Sequence, residues 1–545
     1  MFDILIRKGK VVSGAGNPWF RSDVAVKDGK IAEVGPLGAA EAERTIDAEG
    51  LVVCPGFVDM HNHSDSSIMI NPKAESYIRQ GVTTLVFPNC GSGVAPLNEA
   101  LKEEFRQRNP AFFESGLDLD WSTFEEYLQR MEEIGTAVNV APLIGFGTIR
   151  RYVVGWEMRA PTRGELEEMR AEVEKAMKAG AFGLTTGLRY VPQSWAETEE
   201  VIELAKVAAE YGGFYASHLR DEGDRGDPIG AIKEIIEIGE KAGLPVNISH
   251  FKILARPHWG ECDEILQLIE EARARGVDVT ADQYPYPASG SSPRAWLPRW
   301  AREGGDEGLL TKLKDPETRA KIREEVHRVM TVRGGPEAAL IRNYPLNHDY
   351  IGKTVAEVTR MLGRDDPTDT LLDIYQEHVE KLVAGEVEGR FSFMNFNMLE
   401  ENVDKMMRKP WVMVSSDGSV HAPYGPLVKR NPAVHPRYYG SYPRVLGRYV
   451  RERKVLSLEE AIRKMTSLET QRLGILDRGL IAEGMWADIT VFDPETVIDR
   501  AEFTPPAASR RYPEGIPYVI VNGVLTIDEG EHTGALAGKV LRKRS

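Results

Sequence analysis

In the stretch PGFVDMHNHSD, residues 55 to 65, an apolar run ends in two histidines one residue apart, His61 and His63. Alternate residues of a strand point the same way, so both imidazoles can reach one ion. Four further reactive residues sit in the same kind of place. Cys90 ends TTLVFPNC, His218 ends GFYASH, His250 ends PVNISH and Asp417 ends WVMVSSD. Four imidazoles, a thiol and a carboxylate form a borderline-soft donor set. It suits Zn²⁺, with Co²⁺, Mn²⁺ or Ni²⁺ able to take its place. One such histidine alone would be read as a structural residue, and SSDGS alone as a turn. Reactive residues at the ends of five different apolar runs are a different matter. Cys54 is assigned to packing and Cys262 to a helix surface.

A particular architecture is needed to bring these residues together. Short apolar runs, TTLVFPNC, AVNVAPLIGF, FGLTTGL, GFYASHL, PVNISHF, DVTADQYPY and VMVSSDG, alternate with amphipathic helical stretches such as TRGELEEMRAEVEKAMKAG. Alternation of this kind implies parallel βαβ units. Seven or eight units predict an α/β fold of the (β/α)8 type over residues 56–474, in which all strand C-termini share one face. Residues 1–55 and 475–545 read instead as short strands separated by turns. They predict one small β-sandwich domain assembled from the two ends of the chain. Residues 288–345, rich in Arg, Trp, Pro and Gly, break the alternation and are expected to be an insertion that serves as an active-site lid.

Composition narrows the partners. The 545 residues carry a net charge of −15, which argues against nucleic acid. No apolar stretch is long enough to predict a membrane span. Three cysteines, with no signal-peptide pattern at the start, fit a reducing, cytoplasmic setting. Oligomeric state is not legible.

The stretches PGFVDMHNHSD, QGVTTLVFPNCGSGVAPL, YASHLRDEG, NISHFKI, SSDGS and HPRYYGSYPRVLGRYVRE, spread over nearly the whole chain, resemble the N-acyl-D-amino-acid deacylase (D-aminoacylase) family of the amidohydrolase superfamily. The resemblance implies a TIM-like metal-dependent hydrolase barrel with a small β-sandwich domain. It implies a small-molecule N-acyl amino acid as substrate. It further implies one tight zinc site at Cys90, His218 and His250, with His61, His63 and Asp417 around a second, weaker one. Asp417 would be the general base and acid. Tyr190 and Lys252 would meet the substrate carboxylate, with Arg294 and Arg437 as further candidates and Asp65 as a hydrogen-bond partner behind the histidines. Relatives often carry a Met-Ser-Glu-Asp-like stretch where this chain has NMLEEN, residues 397–402. Three alternatives stay open: a cyclic amidase of the hydantoinase or dihydroorotase kind, a dipeptidase, and a catalytically dead scaffold acting through assembly.

Overall fold

A computed structural model describes residues 1–543; residues 544 and 545, the last two of the expected β domain, lie outside the described residues. Eight parallel strands form the barrel. In chain order they are Phe57–Asp59, Val82–Phe87, Asn139–Pro142 with Ile144–Gly145, Gly183–Gly187, Phe214–His218, Val246–Ile248, Val279–Gln283 and Val412–Val414. Every residue of these strands is buried. Helices cover such strands outside and packed side chains fill the barrel inside, so they read as continuous apolar runs rather than alternating ones.

Hydrogen-bonded pairing runs from strand one to three and from strand three's continuation to eight. The seam between strands eight and one is closed past their ends. Asn62 bridges Gly418, Asp417 N donates to His61 O (2.8 Å) and His63 N donates to Gly418 O (2.8 Å). Beneath this seam the Asp59 carboxylate accepts from Ser416 N (2.9 Å) and Ser416 Oγ (2.5 Å).

The outer helices start and stop where local chemistry dictates. Thr162 and Glu165 form a capping box for Arg163–Lys178. Asp227 caps Pro228–Ala242, which has proline in its first turn and ends on Gly243 in the left-handed conformation. No helix among the described residues is long and apolar enough to cross a membrane.

The two chain ends build one nine-stranded sheet. Val52–Pro55 pairs antiparallel with Ile489–Phe492. Ile4, Ile6, Val24 and Val26 from one end share a core with Ile489, Val491 and Ile520 from the other. The final stretch then leaves this sheet for the barrel, where Gly538 N donates to Thr136 O (2.7 Å) and Leu541 N to Val140 O (2.7 Å).

The insertion runs well past residue 345. Ser289–Ser291, Ala339–Asn343 and Ser392–Asn395 make a three-stranded antiparallel sheet. Helices Gly305–Lys314, Pro316–Val332, Val355–Met361 and Pro367–Val383 accompany it. Trp296, Ile322, Ile341, Leu371, Tyr375 and Phe393 share a core separate from the barrel's. The stretch after 345 looks like more barrel because helices there flank an apolar strand. That strand pairs antiparallel with residues 289–291 instead. Cys262 also departs from expectation. It opens the helix Cys262–Ala274 with its side chain turned inward, 1% exposed.

Glu469, on the helix Ser467–Leu473 packed against the first barrel strand, is fully buried, and neither carboxyl oxygen has a partner. Burial pushes its carboxyl well above the ordinary range, and Asp59 and Asp282 add to the effect. A carboxyl held up in this way binds its proton more tightly folded than unfolded. Its contribution is therefore intact below the unfolded value and is lost as pH rises toward the folded one. Glu469→Gln removes that loss. Urea unfolding should show the variant more stable than the parent by about 1–2 kcal/mol at pH 8, with no such gain at pH 4.

Candidate active site

Barrel geometry brings all six strand-end residues to one mouth. Cys90 Sγ lies 3.5 Å from His61 Nε2, 3.7 Å from His218 Nδ1 and 3.4 Å from His250 Nε2. A sulfur and a nitrogen bound tetrahedrally to one zinc ion, at about 2.3 and 2.05 Å, stand about 3.6 Å apart. The spacing and the donor chemistry both fit a zinc-type ion. His61 also reaches toward Asp417 Oδ1 (3.8 Å), and His63 Nε2 lies 3.2 Å from the same oxygen. His61, His63 and Asp417 thus form a second group with ligand spacing, sharing His61 with the first.

Backbone conformation aims several of these side chains. Cys90, His250 and Asp417 have φ of 53°, 36° and 48°, in the left-handed region that non-glycine residues seldom occupy. Each follows a barrel strand, and the turn into that region swings the side chain over the mouth. Strain of this kind persists only where surrounding structure holds it. Here, for example, the Asp282 carboxylate accepts from His250 N (2.8 Å).

Two buried carboxylates that sequence reasoning did not single out stand behind the imidazoles. Asp282 Oδ1 lies 3.7 Å from His61 Nδ1 and also accepts from Ser415 Oγ (2.7 Å). Glu222 places Oε2 3.3 Å from His218 Nε2 and Oε1 3.5 Å from His250 Nδ1. Each faces the imidazole nitrogen turned away from the Cys90 sulfur, which sets ring orientation and tautomer. Burial works to raise the Glu222 carboxyl, but His218 and Lys252 outweigh it and bring it down to about 2. The available signal was spacing: Glu222 follows His218 by four residues within SHLRDEG, and Asp282 is the penultimate residue of the strand Val279–Gln283.

The remaining candidates fall in different places. Lys252 Nζ donates to Glu222 Oε1 (2.5 Å) and to His250 O (3.0 Å), and lies 2.7 Å from His250 Nδ1. It is buried under the cluster rather than extended over it. The Tyr190 ring packs edge-on against His218, with centroids 4.8 Å apart. Arg437 Nη1 lies 2.9 Å from Asp417 Oδ2, and its guanidinium stacks over Tyr284. Burial opposes ionisation of Asp417, yet Arg437 and the nearby histidines hold its carboxyl well below the usual range. Arg294 lies in the insertion, paired with Asp306. No hydrogen bond joins the Asp65 carboxylate to His63. The Asp65 carbonyl accepts from Tyr127 Oη (2.7 Å), and burial, only partly offset by His63, lifts the carboxyl to about 6.

A (β/α)8 barrel that gathers a thiol, imidazoles and a carboxylate at its C-terminal face has the architecture of the metal-dependent barrel hydrolases. The chain belongs to the amidohydrolase family, whose model matches residues 44–527. It is 34% identical to a D-aminoacylase of Alcaligenes xylosoxydans xylosoxydans, over 99% of this chain and 98% of that one. It is also 34% identical to an N-acyl-D-aspartate deacylase of the same organism, over 98% and 93%. Among solved structures it resembles an N-acyl-D-glutamate deacylase from Bordetella bronchiseptica, complexed with zinc and a phosphonate mimic of the tetrahedral intermediate. There the TM-score is 0.79, with 30% identity over 99% of each chain.

Glu222→Gln keeps the shape and removes the charge behind two imidazoles. Zinc affinity, titrated against a competing chelator, should fall by about 10- to 100-fold. An unchanged affinity would mean that Glu222 does not support the cluster.

Proposed function

We propose that this protein hydrolyses the amide bond of N-acyl-D-amino acids, releasing a carboxylate and a free D-amino acid. The observation that carries the reading is the joint placement of Cys90, His61, His218 and His250 with the Asp417 carboxylate beside them. Cys90, His218 and His250 would hold the tight ion, and His61, His63 and Asp417 would surround a weaker one. Zinc is the ion we assign, with Co²⁺, Mn²⁺ or Ni²⁺ as substitutes. When bound, it polarises the amide carbonyl and makes water acidic enough to lose a proton near neutral pH.

The chain's own groups do the rest. Asp417, kept ionised by Arg437, accepts the proton of the attacking water at a carboxylate oxygen. It then gives that proton to the departing nitrogen, which would otherwise leave as a poor amide anion. The substrate's α-carboxylate needs hydrogen-bonding or cationic partners. Tyr190 and Arg437 stand beside the cluster for that task, while Lys252 is held beneath it by Glu222 and His250. Arg437 has a buried guanidinium nitrogen, Nε, left without a hydrogen-bond acceptor. Residues 288–345, with the continuation to Asn395, would form the lid. The lid reading is supported by its fastening to the loop after the fifth strand, where Arg333 Nη2 pairs with Asp224 (2.8 Å). A cytoplasmic setting suits three free cysteines. A linear amide is favoured over a cyclic one by Cys90 and by a fourth strand, GLTTG, that carries no lysine to bridge two ions.

Amine release from paired N-acetyl-D- and N-acetyl-L-amino acids, with zinc-loaded protein, tests this. Turnover should be confined to D-substrates, and Asp417→Asn should lower kcat by about 10²- to 10⁴-fold. Zinc-loaded protein that turns over neither enantiomer of any pair would overturn the assignment.

A further inference from the structure

The left-handed backbone of Cys90 has to be held in place by its neighbours. A side chain placed to do so is Gln193, which takes no part in the chemistry proposed above. It opens the short turn Gln193–Trp195 after the fourth barrel strand and is 1% exposed. Its Nε2 donates to Cys90 O (3.0 Å), and its Oε1 accepts from Gly187 N (2.6 Å). A carboxamide carries a donor and an acceptor in one rigid plane. One group therefore fastens the peptide of the thiol residue to the end of the fourth strand.

The fold leaves a slot for this amide. A methyl group on Gly91 would overlap Gln193 Oε1, and one on Gly147 would stand 2.5 Å from Gln193 Cδ and Nε2. One on Gly187 would stand 2.5 Å from Cys90 O and 2.8 Å from the Tyr190 ring. Gly147 and Gly187 have ordinary φ values, so space rather than backbone freedom calls for glycine there. The turn after the second strand, the helix Phe146–Val153 and the end of the fourth strand thus each omit a side chain around one buried amide. The far side of that turn is fixed separately. Gly91 N donates to Thr185 Oγ1 (3.2 Å), and Thr148 N donates to Gly91 O (3.1 Å). The fastening also reaches Tyr190. Tyr190 N donates to Gly187 O (2.8 Å) and Ser194 N to Tyr190 O (2.7 Å), so the ring that packs on His218 is carried by the loop that Gln193 secures.

We infer that Gln193, seated among Gly91, Gly147 and Gly187, is a positioning residue for the metal site. It holds Cys90 in the conformation that turns its sulfur to the imidazoles, and it keeps Tyr190 in register with that sulfur. The inference rests on the reading of Cys90 as a ligand of the tight ion, and not on which amide is cleaved.

The test loads the full-length protein with Co²⁺ in place of zinc. A thiolate bound to Co²⁺ gives a charge-transfer band that imidazole and carboxylate ligands do not, so the band reports on Cys90. The parent should show it. In Gln193→Ala the band should weaken, and zinc affinity, titrated against a competing chelator, should fall by about 10-fold or more. If that variant does not fold, Gln193→Met fills the slot without a donor or acceptor and should show the same two losses. Alanine suits a helix better than glycine, so Gly147→Ala is harmful only through the amide it displaces. It should weaken the band by itself and cost nothing further in the Gln193→Ala background, where the slot is empty. A variant with the parent's band and zinc affinity overturns the inference even if it unfolds more readily, because an amide that served stability alone would change only stability. Fully additive losses in the double variant overturn it as well. A parent without the band overturns both the inference and the assignment of Cys90 as a ligand. A parent with the band and an unaltered variant overturns the inference alone and leaves the deacylase reading in place.

Discussion

The seam between the eighth and first barrel strands is the interaction on which the site depends. Asp417 and His63 stand 354 positions apart in the chain. They meet because Asp417 N bonds to His61 O and His63 N bonds to Gly418 O. Asp59, below, ties the same two strands through Ser416. A cylinder of eight strands has no free edge, so this join cannot slip without disturbing every other pairing around the ring. That rigidity holds Cys90, His250 and Asp417 in a backbone region they would not choose. The strain is small beside the cooperative stability of the closed barrel, and it is used to turn three reactive side chains toward one point.

Charge is arranged around that point in layers. Nearest are the thiol, the imidazoles and the Asp417 carboxylate. Behind them Asp282 and Glu222 face the outer imidazole nitrogens, and Lys252 is bound to Glu222. Beyond Glu222, the sign reverses at the arginines around Asp224. Each layer offsets part of the desolvation cost of the one before it, so the site is stable only as a set.

Much of this was legible in the sequence because strand ends announce themselves. An apolar run that stops at a histidine or cysteine reads as a strand whose last side chain faces the mouth, and all six such residues converge. The small β domain was legible from turn-rich strands at both ends, although its pairing of residue 53 with residue 491 is a long-range fact that no local pattern holds. What stayed hidden has physical causes. Glu222 looks like one more surface acid in a charged loop, and only burial reveals it. Lys252 looks like a hand extended to substrate, yet it is anchored beneath His250. The insertion's third strand, SFMN, has the composition of a barrel strand, and pairing direction alone assigns it elsewhere.

The nine-stranded sheet also sets an order of assembly. Val52–Pro55 emerges early during synthesis, but its partner Ile489–Phe492 follows only after the barrel and the insertion have been made. Domains fold as units as the chain emerges. Here the first strands translated must keep their apolar faces waiting through more than four hundred residues of growth. The part of the molecule that starts the chain is therefore the part that is finished last, and its unpaired edge is where a nascent chain is most exposed to misassociation and most in need of a chaperone.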